Sequence, residues 1–430
     1  MAIRILKNLV TKEHRETIFS HLFLTPKKSN YSNILGRSEN KGFLFAKIFD
    51  DDILLPYFYG KKLLNIKQKD HKTVSFNFKG ELYDFQKSVS EDAIEHLKKY
   101  NTTTLNVYTA FGKTITGLYL ATYLKRKTLI LYHRTILEKT WKSTIEDFSD
   151  CKLWIVGNEM PEEFDIIMSM DTRFNKIPKN VIDSIGTLII DEAHAFCTPS
   201  RISILLGTEP EFIISLTATF ERENNMEIMI QSMCGLHKIF KISKKPFNVY
   251  KVNTGINFEI PLNKQLKPDW NNIVAKLIQN DKRNDIIINL VEKNKEYKIL
   301  ILTSRKKHVD ILFKRLTDLK KSVDYMYGNK KKYTDSDILI GTISKIGTGF
   351  DEKSFAENFN GFRINLLIIV ISIKNVQLLE QCVGRCFRSE FPNIITLVDD
   401  IGIIKNHFYR YAKNWYISRN GKIIEKNYED

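Results

Sequence analysis

From about residue 100 onward, short apolar runs rich in β-branched residues alternate with longer stretches of helical period, the pattern of a parallel α/β fold. The runs TLNVY (104–108), TLILY (128–132), KLWIV (152–156), FDIIMS (164–169), TLIID (187–191) and FIISLT (212–217) are read as the strands of one doubly wound domain. The alternation lapses over 243–270, a polar, irregular stretch with three prolines and no helical period, and a domain junction is placed inside it. It resumes with KILILT (298–303), DYMY (324–327), DILIGT (337–342), INLLIIVIS (364–372) and NIITLVD (393–399), the strands of a second such domain. The longest apolar run, INLLIIVISI (364–373), is half a membrane span and reads instead as a strand covered on both faces. Before residue 80 the alternation is missing. There GFLFAKIFDDDILLPYFYG is aromatic and punctuated by Gly and Pro, and predicts a small β-rich accessory region. The expected layout is an accessory region at 1–79 and two doubly wound domains at 80–250 and 251–430.

Composition narrows the class. Of the 430 residues, 43% are hydrophobic and 27% charged, a globular mixture. Lys and Arg number 66 against 50 Asp and Glu, and the net charge of +16 is spread along the whole length. A broad polyanion-binding surface follows, with nucleic acid as the first partner class. Five cysteines form no CxxC pair, which excludes a closed zinc site and points to reduced thiols. The apolar run at the N-terminus is too short for a secretory signal, and no export is expected.

The chemistry sits where strands end. In NVYTAFGKTIT (106–116) a strand, a tight turn, Gly112-Lys113-Thr114 and a helix follow one another. Backbone N–H groups at such a helix N-terminus surround phosphate oxygens. Lys113 is then placed for the β- and γ-phosphates and the Thr114 hydroxyl for Mg²⁺. Val107 stands where a standard phosphate loop has its first glycine. Farther on, TLIID delivers Asp191 and Glu192 at a strand end, one within reach of the metal ion and one placed to orient or deprotonate water.

Taken in order, these motifs resemble the superfamily 2 helicases of the DEAH/DExH type, which commonly lack that first glycine. LYDFQ (82–86) resembles the glutamine motif, YHRTILEKTW (132–141) motif Ia, SLTATF (215–220) motif III, LTSRKKHVD (302–310) motif IV, ILIGTISKIGTGFD (338–351) motif V and QCVGRCFR (381–388) motif VI. The resemblance covers roughly residues 80 to 400 and implies two tandem RecA-like domains and a nucleic-acid-stimulated ATPase using ATP and Mg²⁺. By this resemblance Tyr108, Thr109, Ala110, Phe111, Gly112, Lys113 and Thr114 form the nucleotide loop, and Gln86 reads adenine through the donor and acceptor of its amide. Arg385 and Arg388, three apart on one helix face of the second domain, would meet the ATP phosphates on domain closure, with Arg388 as the arginine finger. His194, Thr217, Thr219, Gln381, Gly349 and Asp351 would couple the nucleotide to the bound strand. His133, Arg134, Thr135, Ser304, Arg305 and Thr342 would contact nucleic acid.

A narrower likeness is carried by Phe111 in AFGKTIT, by IGTGFD, by LLEQCVGRC and by ILLPYFYG. These segments are similar to the poxvirus DNA helicase and transcript-release family, shared with other large DNA viruses. That implies a DNA-stimulated ATPase moving 3′ to 5′ that prefers single-stranded DNA to RNA and releases nascent RNA from the viral polymerase. It also implies a monomer of the host cytoplasm and the virion, with no membrane partner. Ala110 departs from the family where many relatives have glycine, and Thr140 where glutamine is common. Two other readings stay open. One is an RNA helicase, because no 2′-OH-reading signature separates the two. The other is a nucleic-acid-binding transcription factor with weak ATPase activity, against which Lys113, Glu192 and Arg388 stand. A restriction motor would need a nuclease site, and KPDWNNIVAKL (267–277) lacks the acidic and lysine residues that should follow on a strand.

Overall fold

A computed structural model describes residues 2–26, 42–65, 69–218, 220, 225–347 and 350–428. The chain forms two compact units, one of residues 1–107 and 111–241, the other of residues 242–430 together with 108–110. Each is built on a seven-stranded sheet. The strands of these two sheets are numbered here in chain order.

In the first unit β1 (Thr102–Val107), β2 (Thr128–Tyr132), β3 (Leu153–Ile155), β4 (Ile166–Met170), β5 (Thr187–Asp191), β6 (Phe212–Thr217) and β7 (Ile239–Lys241) lie in the order β7-β1-β6-β5-β2-β4-β3, all parallel. Every residue of β1, β2 and β5 is buried, so β2 and β5 read as nearly continuous apolar runs and not as alternating ones, while β1 buries Thr102, Thr103, Thr104 and Asn106 as well. Helix α1 (Asp84–Tyr100) leads into β1, α2 (Lys113–Leu124) joins β1 to β2, and α3 (Thr135–Phe148) joins β2 to β3. Because β1, β6 and β5 are neighbours, the segments that follow all three emerge side by side, at the sheet edge where open α/β folds bind ligands.

Among the described residues the accessory region holds a sheet of three short antiparallel strands, Ala2–Leu6, Lys47–Ile48 and Asp52–Pro56, and a separate antiparallel pair, Phe23–Leu24 and Phe43–Leu44, but helices Lys12–Leu22 and Tyr57–Leu64 as well. The YFYG that closes the strand-like stretch opens the second of these helices. Pro56 supplies its N-cap, and Asn65 ends it in the left-handed region at φ +46. Ile5, Phe45 and Leu55 join the same buried cluster as Leu188, Ile213 and Met229 of the first unit. The Ala2 amide donates to the Thr208 carbonyl at 2.8 Å, and the Tyr57 hydroxyl to the Glu211 carbonyl at 3.2 Å.

In the second unit β8 (Phe247–Asn253), β9 (Ile299–Thr303), β10 (Val323–Met326), β11 (Ile338–Thr342), β12 (Leu366–Ile369), β13 (Asn393–Val398) and β14 (Gly421–Asn427) lie in the order β10-β11-β9-β12-β13-β8-β14, again all parallel. Strand β8 occupies part of the stretch read as irregular, and a boundary after residue 250 falls inside it, whereas the compact units divide after Lys241. Two helices, α4 (Asp281–Glu292) and α5 (Lys306–Asp318), carry a buried polar network. Arg283, 1% exposed, donates through Nε to Asp399 Oδ1 at 2.8 Å and through Nη2 to the Val370 carbonyl at 2.6 Å, and Thr254 donates to the same Asp399 oxygen at 2.7 Å. His308 sits between Thr303 Oγ1 (2.8 Å) and Asn284 Oδ1 (3.0 Å), and burial holds its imidazole neutral by pushing its pKa down to about 3. The network ties four strand ends to two helices and so fixes the segment after β9.

Candidate functional site

Helix α2 begins at Lys113, directly after Gly112 at φ +93. A Cβ there would stand 2.4 Å from Gln86 Nε2, so backbone conformation and close approach both require glycine. Ala110 is also left-handed, at φ +72, where an alanine carries about 1–2 kcal/mol of strain. Gln86 is buried. Its Oε1 accepts from the Tyr83 amide at 3.0 Å and its Nε2 donates to the Phe111 carbonyl at 3.0 Å, so the side chain expected to read adenine also clamps the loop to α1. The amide keeps a second N–H and a second lone pair for a base. Lys113 Nζ lies 3.5 Å from the Val107 carbonyl, folded back over its own loop, and Thr114 is half-buried beside it. Tyr83 and Phe85 stack at 5.6 Å with 71% and 47% of their surface exposed, a flat aromatic platform next to Gln86.

Asp191 ends β5, 4% exposed. Its Oδ2 accepts the Trp141 indole N–H at 2.9 Å and its Oδ1 the Glu192 amide at 2.9 Å. Burial, then the neighbouring Glu192 carboxylate, push its pKa up to about 6 despite the opposing pull of Trp141 and Lys113. A carboxylate so placed is relieved by an added cation. Glu192 itself is left-handed at φ +52, which turns its side chain back toward His194, whose Nδ1 is 3.4 Å from Glu192 Oε2 and 3.0 Å from Thr217 Oγ1. The acid at the end of β5 is thereby linked through one imidazole to the end of β6. Thr219 lies outside the described residues.

At the end of β2, Arg134 and Thr135 are exposed and His133 is partly covered. Burial and the adjacent Arg134 push the His133 pKa down to about 4, so it is a neutral donor or acceptor at physiological pH, while Arg134 carries the charge. Sequence reasoning passed over Trp141 and the Tyr83–Phe85 pair. The signal for the pair was two aromatics spaced by two beside Gln86; the Trp141 contact spans 50 residues and has no local mark.

In the second unit the motif VI segment begins in the last turn of α6 (Val376–Val383), where Gln381 is buried, and Arg385 and Arg388 lie in the turns beyond the helix end, not on the helix face expected for them. Arg385 is buried and spends both terminal nitrogens on motif V, Nη1 on the Phe350 carbonyl at 2.6 Å and Nη2 on the Gly347 carbonyl at 3.0 Å, so it braces that segment. Arg388 pairs with Asp351, which also holds Arg363 at 3.0 Å. Service as a finger therefore requires Arg388 to leave Asp351. Gly349 lies outside the described residues. Ser304, Arg305 and Thr342, drawn from two separate motifs, meet in one groove of about 410 Å³ together with Lys306, Ser344, Lys345 and Gly328. Three hydroxyls and three cations are a lining suited to a phosphate backbone.

Residues 79–222 match the family model of the type III restriction enzyme, res subunit. Across 428 residues the chain is 28% identical to a protein of Invertebrate iridescent virus 6 described as a helicase, an alignment covering 92% of this chain and 93% of that one. The transcript termination protein of Fowlpox virus (strain NVSL) is 24% identical over 413 residues, 86% of this chain and 85% of the relative. The chain is thus similar to helicases of large DNA viruses and to a restriction-enzyme motor subunit. Two solved structures share the helicase fold. A fragment of the HsdR subunit of a type I restriction enzyme from Vibrio vulnificus YJ016 matches with a TM-score of 0.57 at 14% identity, over 82% of this chain and 70% of that one. S. cerevisiae Dbp5 bound to RNA and ADP BeF3 matches with a TM-score of 0.55 at 11% identity, over 79% and 89%. The enzyme is thus a nucleic-acid-dependent ATPase of the helicase class, with tandem RecA-like domains.

Proposed function

We propose that this helicase is an ATP-driven translocase that runs on single-stranded DNA, 3′ to 5′, and releases nascent transcripts during viral transcription. The observation that carries the ATPase chemistry is the buried Asp191, pinned by Trp141 and its own backbone, beside Glu192 and the His194–Thr217 link. The residues fit a nucleoside triphosphate with its metal ion. Loop amides around Gly112 and the Lys113 ammonium suit the phosphates, and Thr114 and Asp191 would hold Mg²⁺, which when bound neutralises charge across the β- and γ-phosphates. Glu192 orients the attacking water and takes its proton. His194 reports the state of that acid to Thr217.

The strand is held by Arg134 and Thr135 in the first unit and by the Ser304–Arg305–Thr342 groove in the second. The transcript-release role is supported by the name of the Fowlpox relative. On this reading the helicase acts as a monomer with the viral polymerase, in the host cytoplasm, and is carried in the virion. An RNA track is the second reading, favoured by a mimivirus relative described as an ATP-dependent RNA helicase, 22% identical over 452 residues. Steady-state ATPase assays with no polymer, single-stranded DNA, and RNA of equal length decide between them, with Lys113→Ala as the control. DNA should stimulate turnover and Lys113→Ala should abolish it. Stimulation by RNA alone transfers the function to the RNA reading, and tight strand binding without turnover makes the protein a binding factor.

A further inference from the structure

Where α4 ends, the second sheet is left partly uncovered, and the chain from Leu290 to Tyr297 roofs a cavity of about 410 Å³ over β8, β12 and β13. It lies in the size range of small-molecule sites, roughly 300–1,000 Å³. Its floor is apolar, formed by Val252, Leu366 and Ile395, with Leu290 above them. Three tyrosines wall it, Tyr250, Tyr297 and Tyr428, and two lysines stand over them. Lys426 Nζ is 5.0 Å from the centre of the Tyr250 ring, and Lys293 Nζ 5.4 Å from that of Tyr428. Asn289 Nδ2 donates to the Tyr428 hydroxyl at 2.6 Å and fixes that wall. Of the carboxylates beside the two lysines in the chain, Glu292 is engaged with Lys321 at 2.7 Å and Glu425 with Lys251 at 3.2 Å, so neither neutralises Lys293 or Lys426. Asn294 and Asn393 also line the cavity, Asn294 with its Nδ2 donating to the Leu290 carbonyl at 2.7 Å and Asn393 with its Oδ1 accepting from Asn248 at 3.2 Å, and the cavity shares no lining residue with the motif IV–V groove.

An apolar floor and aromatic walls select a flat heterocycle, amides suit its polar edge, and lysines at the rim suit an attached anion. We propose that this cavity is a second nucleotide site, binding a phosphorylated nucleobase with its ring among the tyrosines and its phosphate on Lys293 and Lys426. The same chemistry is offered by a free mononucleotide and by the 5′-phosphorylated end of a strand. The proposal stands apart from the motor reading, because none of its residues belongs to a helicase motif.

The test uses the full chain with its phosphate loop saturated by ADP and beryllium fluoride, dialysed to equilibrium against labelled AMP or a labelled 5′-phosphorylated pentadeoxyadenylate. One probe per chain should bind. Affinity should fall about tenfold in Tyr250→Ala and in Lys426→Glu, and recover in Tyr250→Phe, with polymer-free ATPase activity unchanged. Binding of AMP identifies a free nucleotide as the ligand; binding of the pentamer alone, with the same sensitivity to the variants, identifies a strand end. Binding of neither probe at about 5 mM, or binding indifferent to Tyr250→Ala and Lys426→Glu, overturns the proposal.

Discussion

Replacing Trp141 by Phe retains an aromatic ring in the core but removes the N–H that reaches Asp191 Oδ2 at 2.9 Å. A hydrogen bond to an ionised group contributes about 1.5–3 kcal/mol. At 1.36 kcal/mol per pH unit, its loss raises the Asp191 pKa by about one to two units. Burial and Glu192 already hold that pKa at about 6, so the variant should titrate between about 7 and 8. The assay is kcat/KM for ATP as a function of pH, which reports the free enzyme. The acid limb of Trp141→Phe should move to higher pH by about one to two units, with activity about two- to tenfold low at pH 7 and close to wild type near pH 9. Stability follows the same proton. Because the folded pKa lies above the ordinary 3.8, this carboxyl favours the folded state below that value, and the contribution is lost as pH rises through about 6. In the variant the loss continues to higher pH. An acid limb that stays in place, with activity reduced equally at every pH, would refute the assignment of Trp141 as the residue that keeps Asp191 ionised.

Four further outcomes are expected. Gly112→Ala puts a methyl group 2.4 Å from Gln86 Nε2 at φ +93 and should lower the melting temperature and abolish ATP binding, while Ala110→Gly, at φ +72, should raise stability by up to about 1 kcal/mol in a denaturant titration. Arg283→Ala leaves Asp399 buried without its ion-pair partner and should cost about 3–5 kcal/mol of unfolding free energy by the same titration. Glu192→Gln should bind a fluorescent ATP analogue as the wild type does and hydrolyse ATP about 10²- to 10⁴-fold more slowly; unimpaired turnover would remove Glu192 from the chemistry.

The central strands were legible because burial on both faces leaves a run of apolar residues with sharp ends. TLILY, TLIID and FIISLT coincide with β2, β5 and β6 residue for residue. INLLIIVIS is strand only at Leu366–Ile369, since an apolar run records burial and not backbone conformation. Strands β8 and β14 were hidden by their position toward one edge of the sheet. Solvent reaches part of FNVYKVN and GKIIEKN, so lysines and asparagines interrupt the pattern. The phosphate loop and Asp191-Glu192 could be read because their chemistry is contiguous in the chain. The Trp141–Asp191 bond and the Arg283–Asp399 pair could not, because each joins residues whose types give no hint of a distant partner. Arg385 and Arg388 were expected on one helix face, but the helix ends at Val383 and both lie in the turns that follow it, and their partners Phe350, Gly347 and Asp351 emerge only from the folded second unit.

The core that Ile5, Phe45 and Leu55 share with Leu188 and Ile213 bears on how the chain can be dissected. A truncated protein starting near residue 80, where the recognisable motor motifs begin, would leave one flank of the first sheet as bare hydrocarbon in water. Such a fragment should aggregate when expressed. Loss of activity on removing the leading segment would then measure solubility and say nothing about a regulatory role for that segment.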